Sequence, residues 1–377
     1  MKIKYWIAIL LLGGIGIFFA GNIHSANQEK NKMAFSDSVK PMQGKNLELK
    51  ACGEEAGIKG DPAAMDEQRL RSYMKVCSNN LLANESFSAL DSTIAYLRNN
   101  KMRTPSGLWL QSLFYAGMEE YIGNVSTETG FMQTDESLRN WIASSADPDT
   151  AHMAMADLML HKAFLYRGSG YAAEVSEENF KLFYQQISST KKYLLEHGDI
   201  AARDPQWFTV MLIITRVEEN SSEKTHRAYF DKAAKLYPGY YPVFFTAAEM
   251  YLPKWGGSKE SYDEFARYAA EKAGADQAKS MYARIYWSDI CGTCGDRDLP
   301  DWRKHWADLQ LGFDEIIEQY PVQWNINSYA HIACMANDQD KTLELMKQMK
   351  DEPISEVWND EQFTYEYCAN WSGLRGK

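Results

Sequence analysis

From residue 70 onward the chain repeats one pattern: apolar residues three and four apart, in stripe after stripe, with no run of period two. Leu70, Tyr73, Met74 and Cys77 begin it, and Phe87, Leu90, Ile94 and Leu97 continue it. This spacing gathers apolar groups on one face of an α-helix, whereas a half-buried strand needs alternation. One-faced helices bury that face only against other helices, so the sequence predicts an all-α fold. Apolar residues make up 45% of the chain and aromatics 13%, which supplies a large core and excludes a disordered polymer.

The helix starts are marked. Thr104-Pro105, Asp147-Pro148 and Asp204-Pro205 each set a capping side chain and a proline ahead of an apolar stripe. The first is expected to open a helix carrying Leu110, Leu113, Phe114, Met118 and Tyr121. Ser176 followed by Glu177 and Glu178 opens another, with acids at the positive end of the helix dipole. From Ser222 the helices pair: 222–237 with 241–252, then pairs from Ser258, near Pro300 and near Gln339. These starts lie 36, 42 and 39 residues apart. A period in that range predicts stacked antiparallel helix pairs, a right-handed solenoid whose concave surface would hold a partner.

Two stretches carry a resemblance. Phe230-Asp231-Lys232-Ala233-Ala234-Lys235-Leu236-Tyr237-Pro238 is repeated nearly position by position by Phe313-Asp314-Glu315-Ile316-Ile317-Glu318-Gln319-Tyr320-Pro321. Both resemble the second helix of a tetratricopeptide unit with its terminal proline. Five blocks are similar to the signatures of a bacterial family of unknown function that accompanies such repeats. They are residues 104–107, 167–171, 252–258, 282–287 and 333–338. The resemblance implies a divergent tetratricopeptide-like array and brings no activity with it.

The expected organisation follows from these readings. Residues 1–26 read as a signal peptide or a retained membrane anchor: Lys2 and Lys4, then an apolar run from Tyr5 to about Gly21, with Ala26 as a small residue before polar chain. Either reading places the body outside the cytoplasm, as in a bacterial periplasm, with membrane contact only through residues 5–21. Residues 27–50 read as a polar tether, 51–221 as an N-terminal helical region, 222–371 as the repeats and 372–377 as a tail. The formal charge is −11, and −13 without the two lysines of residues 1–26. Such an acidic body argues against binding nucleic acid or an anionic lipid surface.

Chemistry has few candidates. Cys291-Gly292-Thr293-Cys294 could be a redox dithiol, half a metal site or a structural disulfide. It follows a helix rather than opening one, and Asp289, Asp296 and Asp298 surround it. Nothing there depresses a thiol pKa, so a disulfide is expected. Cys52 and Cys77 are expected to form a second one; Cys334 and Cys368 are left unassigned. His152 and His161 read as surface or helix-face histidines rather than ligands, Glu119-Glu120 as a solvated acidic pair, and Gly168 as a helix C-cap. Trp255, in a Trp-Gly-Gly turn, is a candidate binding residue. The expectation is a non-enzymatic binding or scaffold protein of the cell envelope, with a protein or peptide partner and no cofactor. A redox or metal protein using Cys291 and Cys294 is the alternative, and a purely structural protein a third.

Overall fold

The computed structural model describes residues 47–169, 172–292, 302–350 and 353–374. Among them are sixteen α-helices and no strand. These are α1 (Leu47–Glu55), α2 (Glu67–Ala83), α3 (Phe87–Asn100), α4 (Leu110–Gly123), α5 (Glu128–Ser144), α6 (Asp149–Arg167), α7 (Glu177–Glu196) and α8 (Gln206–Val217). The series continues with α9 (Glu223–Leu236), α10 (Tyr241–Ala248), α11 (Lys259–Lys272), α12 (Ala278–Gly292), α13 (Trp306–Gln319), α14 (Gln323–Met335), α15 (Gln339–Met346) and α16 (Tyr365–Ser372). The all-α expectation holds, and neighbouring helices pack in pairs.

The helices are of two kinds. α8 is buried at every residue, and α14 from Trp324 to Cys334, so these have no solvent face at all. α4, α6 and α10 are nearly as enclosed. The helices between them are one-faced: α9 buries His226, Phe230, Ala233 and Ala234 and leaves its other side to solvent. Phe230 sits 5.4 Å from Phe244 and 5.1 Å from Phe265. Truncating such a ring to alanine costs about 3–5 kcal/mol. An enclosed helix must satisfy its polar side chains indoors, which is what makes the inner helices chemically interesting.

The caps follow the sequence closely. Ser176 Oγ accepts from Asn179 N–H, Ser222 Oγ from Thr225 N–H, and Ser258 with Ser261 forms a reciprocal capping box. The two resembling stretches end alike: Tyr237 (φ −134°, ψ 59°) and Tyr320 (φ −134°, ψ 74°) leave the helix in the same conformation before proline. Three boundaries differ from expectation. α1 starts at Leu47, inside the span read as tether. α10 ends at Ala248 and tightens into a 3-10 turn over Glu249–Tyr251. Thr104-Pro105 opens no helix; α4 begins at Leu110.

The last correction has a cause. Gly107 adopts φ +96°, which a helix cannot continue through, and a Cβ there would lie 2.8 Å from the Tyr320 ring. Thr104 N–H donates to Leu108 O (2.7 Å), Gly107 N–H donates to Thr104 O (2.9 Å), and Arg103 pairs with Trp109 in an isolated bridge. The segment 102–109 thus forms a tight loop between early and late helices. Ser106 N–H donates to Glu67 Oε2 of α2 (2.8 Å), and Arg284 of α12 donates to Ser106 O (3.1 Å). Beside it the Arg71 guanidinium lies 4.5 Å over the Trp324 ring of α14, and Gln68 bonds Glu356. These contacts join the first helices to the last ones through the 102–109 loop and α2.

Candidate functional site

Two disulfides staple the ends of the array. Cys52–Cys77 ties α1 to α2 (Cα–Cα 6.1 Å), as expected, and Cys334–Cys368 ties α14 to α16 (Cα–Cα 5.9 Å). The second was missed because the sequence puts 34 residues between two cysteines on separate helices, and pairing depends on how those helices dock. Cys291 lies in the last turn of α12, but its side chain and Cys294 lie outside the described residues, so the expected third bridge falls there too. Residues 1–46, read as leader and tether, are also outside them. No helix among the described residues is long and apolar enough to cross a membrane.

Trp255, the candidate binding residue, is half-buried. The Arg216 guanidinium lies 4.8 Å from its ring and pairs with Glu249, so the indole shields a largely buried ion pair.

A second charged centre surrounds Ser106. Arg71 and Arg284 are 7% and 6% exposed, and Arg103 lies beside them over Trp109 and Tyr241. Glu67 pairs with Arg71 and also accepts from Ser106. Arg284 instead lies 4.6 Å from the Tyr241 ring and 5.7 Å from that of Tyr320. Burial lowers its pKa, opposed by electrostatic attraction to Tyr241 and Tyr320 and reinforced by repulsion from Arg103 and Arg71. Two of the signature-like blocks, 104–107 and 282–287, meet at this point.

The chemically richest region lies among the enclosed helices. Asp204, fully buried, caps α8 by accepting from Gln206 N–H (2.9 Å). It also accepts from Gln111 (2.9 Å) and from the Tyr115 hydroxyl (2.6 Å), and Arg98 lies 3.4 Å away. Burial raises its pKa, and Arg98 and Tyr115 pull it back. Next to this satisfied cluster, α4, α6, α8 and the start of α10 enclose a cavity of about 40 Å³. Ser112, Glu119, Asp157, His161, Gln206, Thr209 and Tyr240 supply its polar lining.

The lining is ordered from one side. Tyr240 hydroxyl donates to Gln206 Oε1 (3.1 Å), and Gln206 Nε2 donates to Glu119 Oε1 (2.8 Å). His161 Nε2 lies 2.7 Å from Val125 O, a pure acceptor, so Nε2 carries the hydrogen and Nδ1 keeps a lone pair. Burial lowers the His161 pKa and keeps the ring neutral. His161 Nδ1, Asp157 Oδ2 and Thr209 Oγ1 are buried and have no hydrogen-bond partner. Burial pushes Glu119 up to about 7, countered by Gln206 and Lys75. It pushes Asp157 well above the carboxylate range, with Glu119 and Asp204 adding repulsion.

Glu119 and His161 therefore correct the sequence reading. Only Glu120 of the acidic pair is exposed, and His161 is in the core. The available signal was an acid and a histidine inside apolar helical stretches, Ala154–Phe164 in particular. No group of three His, Cys, Asp or Glu side chains among the described residues is placed to share a metal ion. Comparison with family models, curated proteins and solved structures gives no match to this chain.

Proposed function

We propose that this protein is an extracytoplasmic, non-enzymatic helical-repeat module, a divergent right-handed tetratricopeptide-like array, that binds a cationic segment of another envelope protein. One observation carries the reading. A recess of about 540 Å³ opens to solvent between α1 and α3, with Ala51, Phe87 and Ala89 among its lining and Glu48, Glu55 and Glu85 on its exposed rim. An acidic rim around a partly apolar floor complements a basic segment with an apolar anchor. The two disulfides, compatible with an oxidising compartment, fit the same location.

Glu85 strengthens the case. It holds φ +55° just past the end of α2, a left-handed position where glycine is favoured. A carboxylate kept there at a cost in backbone strain points to use of its charge. The test follows from that tension. Binding of a lysine-rich amphipathic peptide to the full chain is measured by fluorescence anisotropy, beside thermal unfolding. Glu85→Gly combined with Glu48→Gln should weaken binding at least fivefold without lowering the unfolding midpoint, and added salt should weaken the native protein's binding. Equal binding by the variant at low salt refutes the reading.

A further inference from the structure

The cavity among the inner helices has an imbalance that packing does not explain. All but one of its donors are committed: the Tyr240 hydroxyl to Gln206, the Gln206 amide to Glu119, the His161 Nε2–H to the Val125 carbonyl and the Ser112 hydroxyl to the Trp109 carbonyl, which leaves the Thr209 hydroxyl hydrogen alone free. Against that single donor stand more acceptors, namely the His161 Nδ1 lone pair, Asp157 Oδ2 and the lone pairs of Thr209 Oγ1. Asp157 is 7% exposed, His161 0% and Thr209 6%. Asp157 has neither a hydrogen bond nor an ion pair among the described residues, although Arg98 is engaged by Asp204 close by. Buried acceptors without donors carry a desolvation penalty of about 1–3 kcal/mol each, more when charged. A site of this kind is completed by a ligand that donates several hydrogen bonds and brings positive charge.

Size and geometry narrow the ligand. At about 40 Å³ the cavity holds a group of about three or four heavy atoms, given about 10–15 Å³ for each water-sized occupant. A chelated metal is disfavoured, because the acids and histidine are not placed to share one ion. An ammonium group suits the array, since its N–H donors point in several directions at once. Glu119 is the one half-buried group of the polar lining, the others being buried, and its neighbour Glu120 pairs with Lys75 at 3.3 Å. We propose that this cavity is a binding site for an ammonium group, taken up past Glu119 and held by Asp157, His161 Nδ1 and Thr209, with Glu119 and Asp157 as its counter-charges. The site is separate from the α1–α3 recess and does not depend on the function assigned to that recess.

The empty site balances its charge with protons instead. Glu119 on α4 and Asp157 on α6 face Asp204 ahead of α8, Tyr240 ahead of α10, His161, and the more distant cations Lys75 and Arg98. Of these, burial holds Glu119 to about 7. Ammonium binding must displace a carboxyl proton, so affinity rises with pH through the window from about 6 to 8, where alkylammonium ions keep their own charge.

The test titrates the full chain by calorimetry and thermal shift with methylammonium chloride against sodium chloride at constant ionic strength. Saturable binding specific to methylammonium, at least fivefold tighter at pH 8 than at pH 6 and accompanied by proton release, is expected. Asp157→Asn, an isosteric change that removes the ionisable group, should fold and weaken binding at least tenfold. Thr209→Val provides a milder second variant. Parallel titrations with ammonium chloride and with Nα-acetyl-lysine amide separate a free ion from an inserted lysine side chain; tighter binding of either supports the site. A response no larger than that to sodium at pH 8, or native affinity in Asp157→Asn, overturns it and leaves a water-filled cavity.

Discussion

Replacing Gly117 by alanine should destabilise this protein although alanine is the better helix former. Gly117 lies inside α4, where Gly→Ala alone is worth about 1 kcal/mol in favour of the variant. The structure opposes that gain. A Cβ at Gly117 would fall 2.1 Å from Lys75 O and 2.1 Å from Ser78 Oγ on α2. The serine can rotate away, but the carbonyl is backbone, so the two helices would have to part by roughly 1 Å. Overpacking of this kind costs about 1–3 kcal/mol, and separation also loosens the Asn79 Nδ2 donation to Gly117 O (3.2 Å). A contact this short, against backbone, belongs at the upper end of the range, for a net loss of about 1–2 kcal/mol. Gly123 closes the same helix with open space around its Cβ position; Gly123→Ala should be neutral or gain a few tenths of a kcal/mol. Urea unfolding followed by far-UV circular dichroism compares the two at equal slope. A Gly117→Ala midpoint at or above that of the native chain would refute the close-approach argument.

Further outcomes are open to measurement. Non-reducing peptide mapping should recover Cys52 linked to Cys77 and Cys334 to Cys368; replacing either pair with serine should cost about 3.5 kcal/mol, the chain-entropy value for loops of 25 and 34 residues. Arg71→Met should cost about 3–5 kcal/mol by leaving Glu67, 5% exposed, without its cation, while Glu67→Gln combined with Arg71→Met should cost clearly less. Glu119 has a folded pKa of about 7, above its ordinary 4.5, so its protonated form favours folding. That contribution is complete below about pH 4.5 and disappears as the pH climbs through 7, worth about 3 kcal/mol in the ligand-free protein. Glu119→Gln should flatten that part of the stability profile, and an unchanged slope would remove the case for a buried acid there.

The sequence announced the frame far better than the site. Serine caps at 176, 222 and 258 and the prolines after Tyr237 and Tyr320 act locally, within four residues, so they can be read without knowing the fold. Thr104-Pro105 misled for the complementary reason: its neighbours Ser106 and Gly107 are held against Glu67, Arg284 and Tyr320, residues up to 213 positions away. The cavity was hidden by an assumption about faces. Reading α6 as a stripe of Ala151, Ala154, Met155, Leu158 and Met159 assigns Asp157 and His161 to water, yet that helix is enclosed on all sides. Enclosure depends on neighbouring helices and leaves no period in the sequence; an acid between Ala156 and Leu158 and a histidine after Leu160 were the local traces.

The loop at residues 102–109 changes what kind of polymer this array is. In an open stack each unit touches only its neighbours, so stability adds up along the chain and end units can be trimmed, duplicated or left to fray. Here Ser106 holds Arg284, Arg71 stacks on Trp324 and Gln68 reaches Glu356, separations of 178, 253 and 288 residues. Those bonds form only after most of the chain is in place, and their loss at one point is felt at both ends. Modular tinkering is thereby closed off: a copy of the chain ending before α14 forfeits partners that α2 needs, and an extra helix pair would pull them out of reach. Folding should be a single cooperative event, slowed by the long closures it requires, with evolution free to alter the outer helices but not their number.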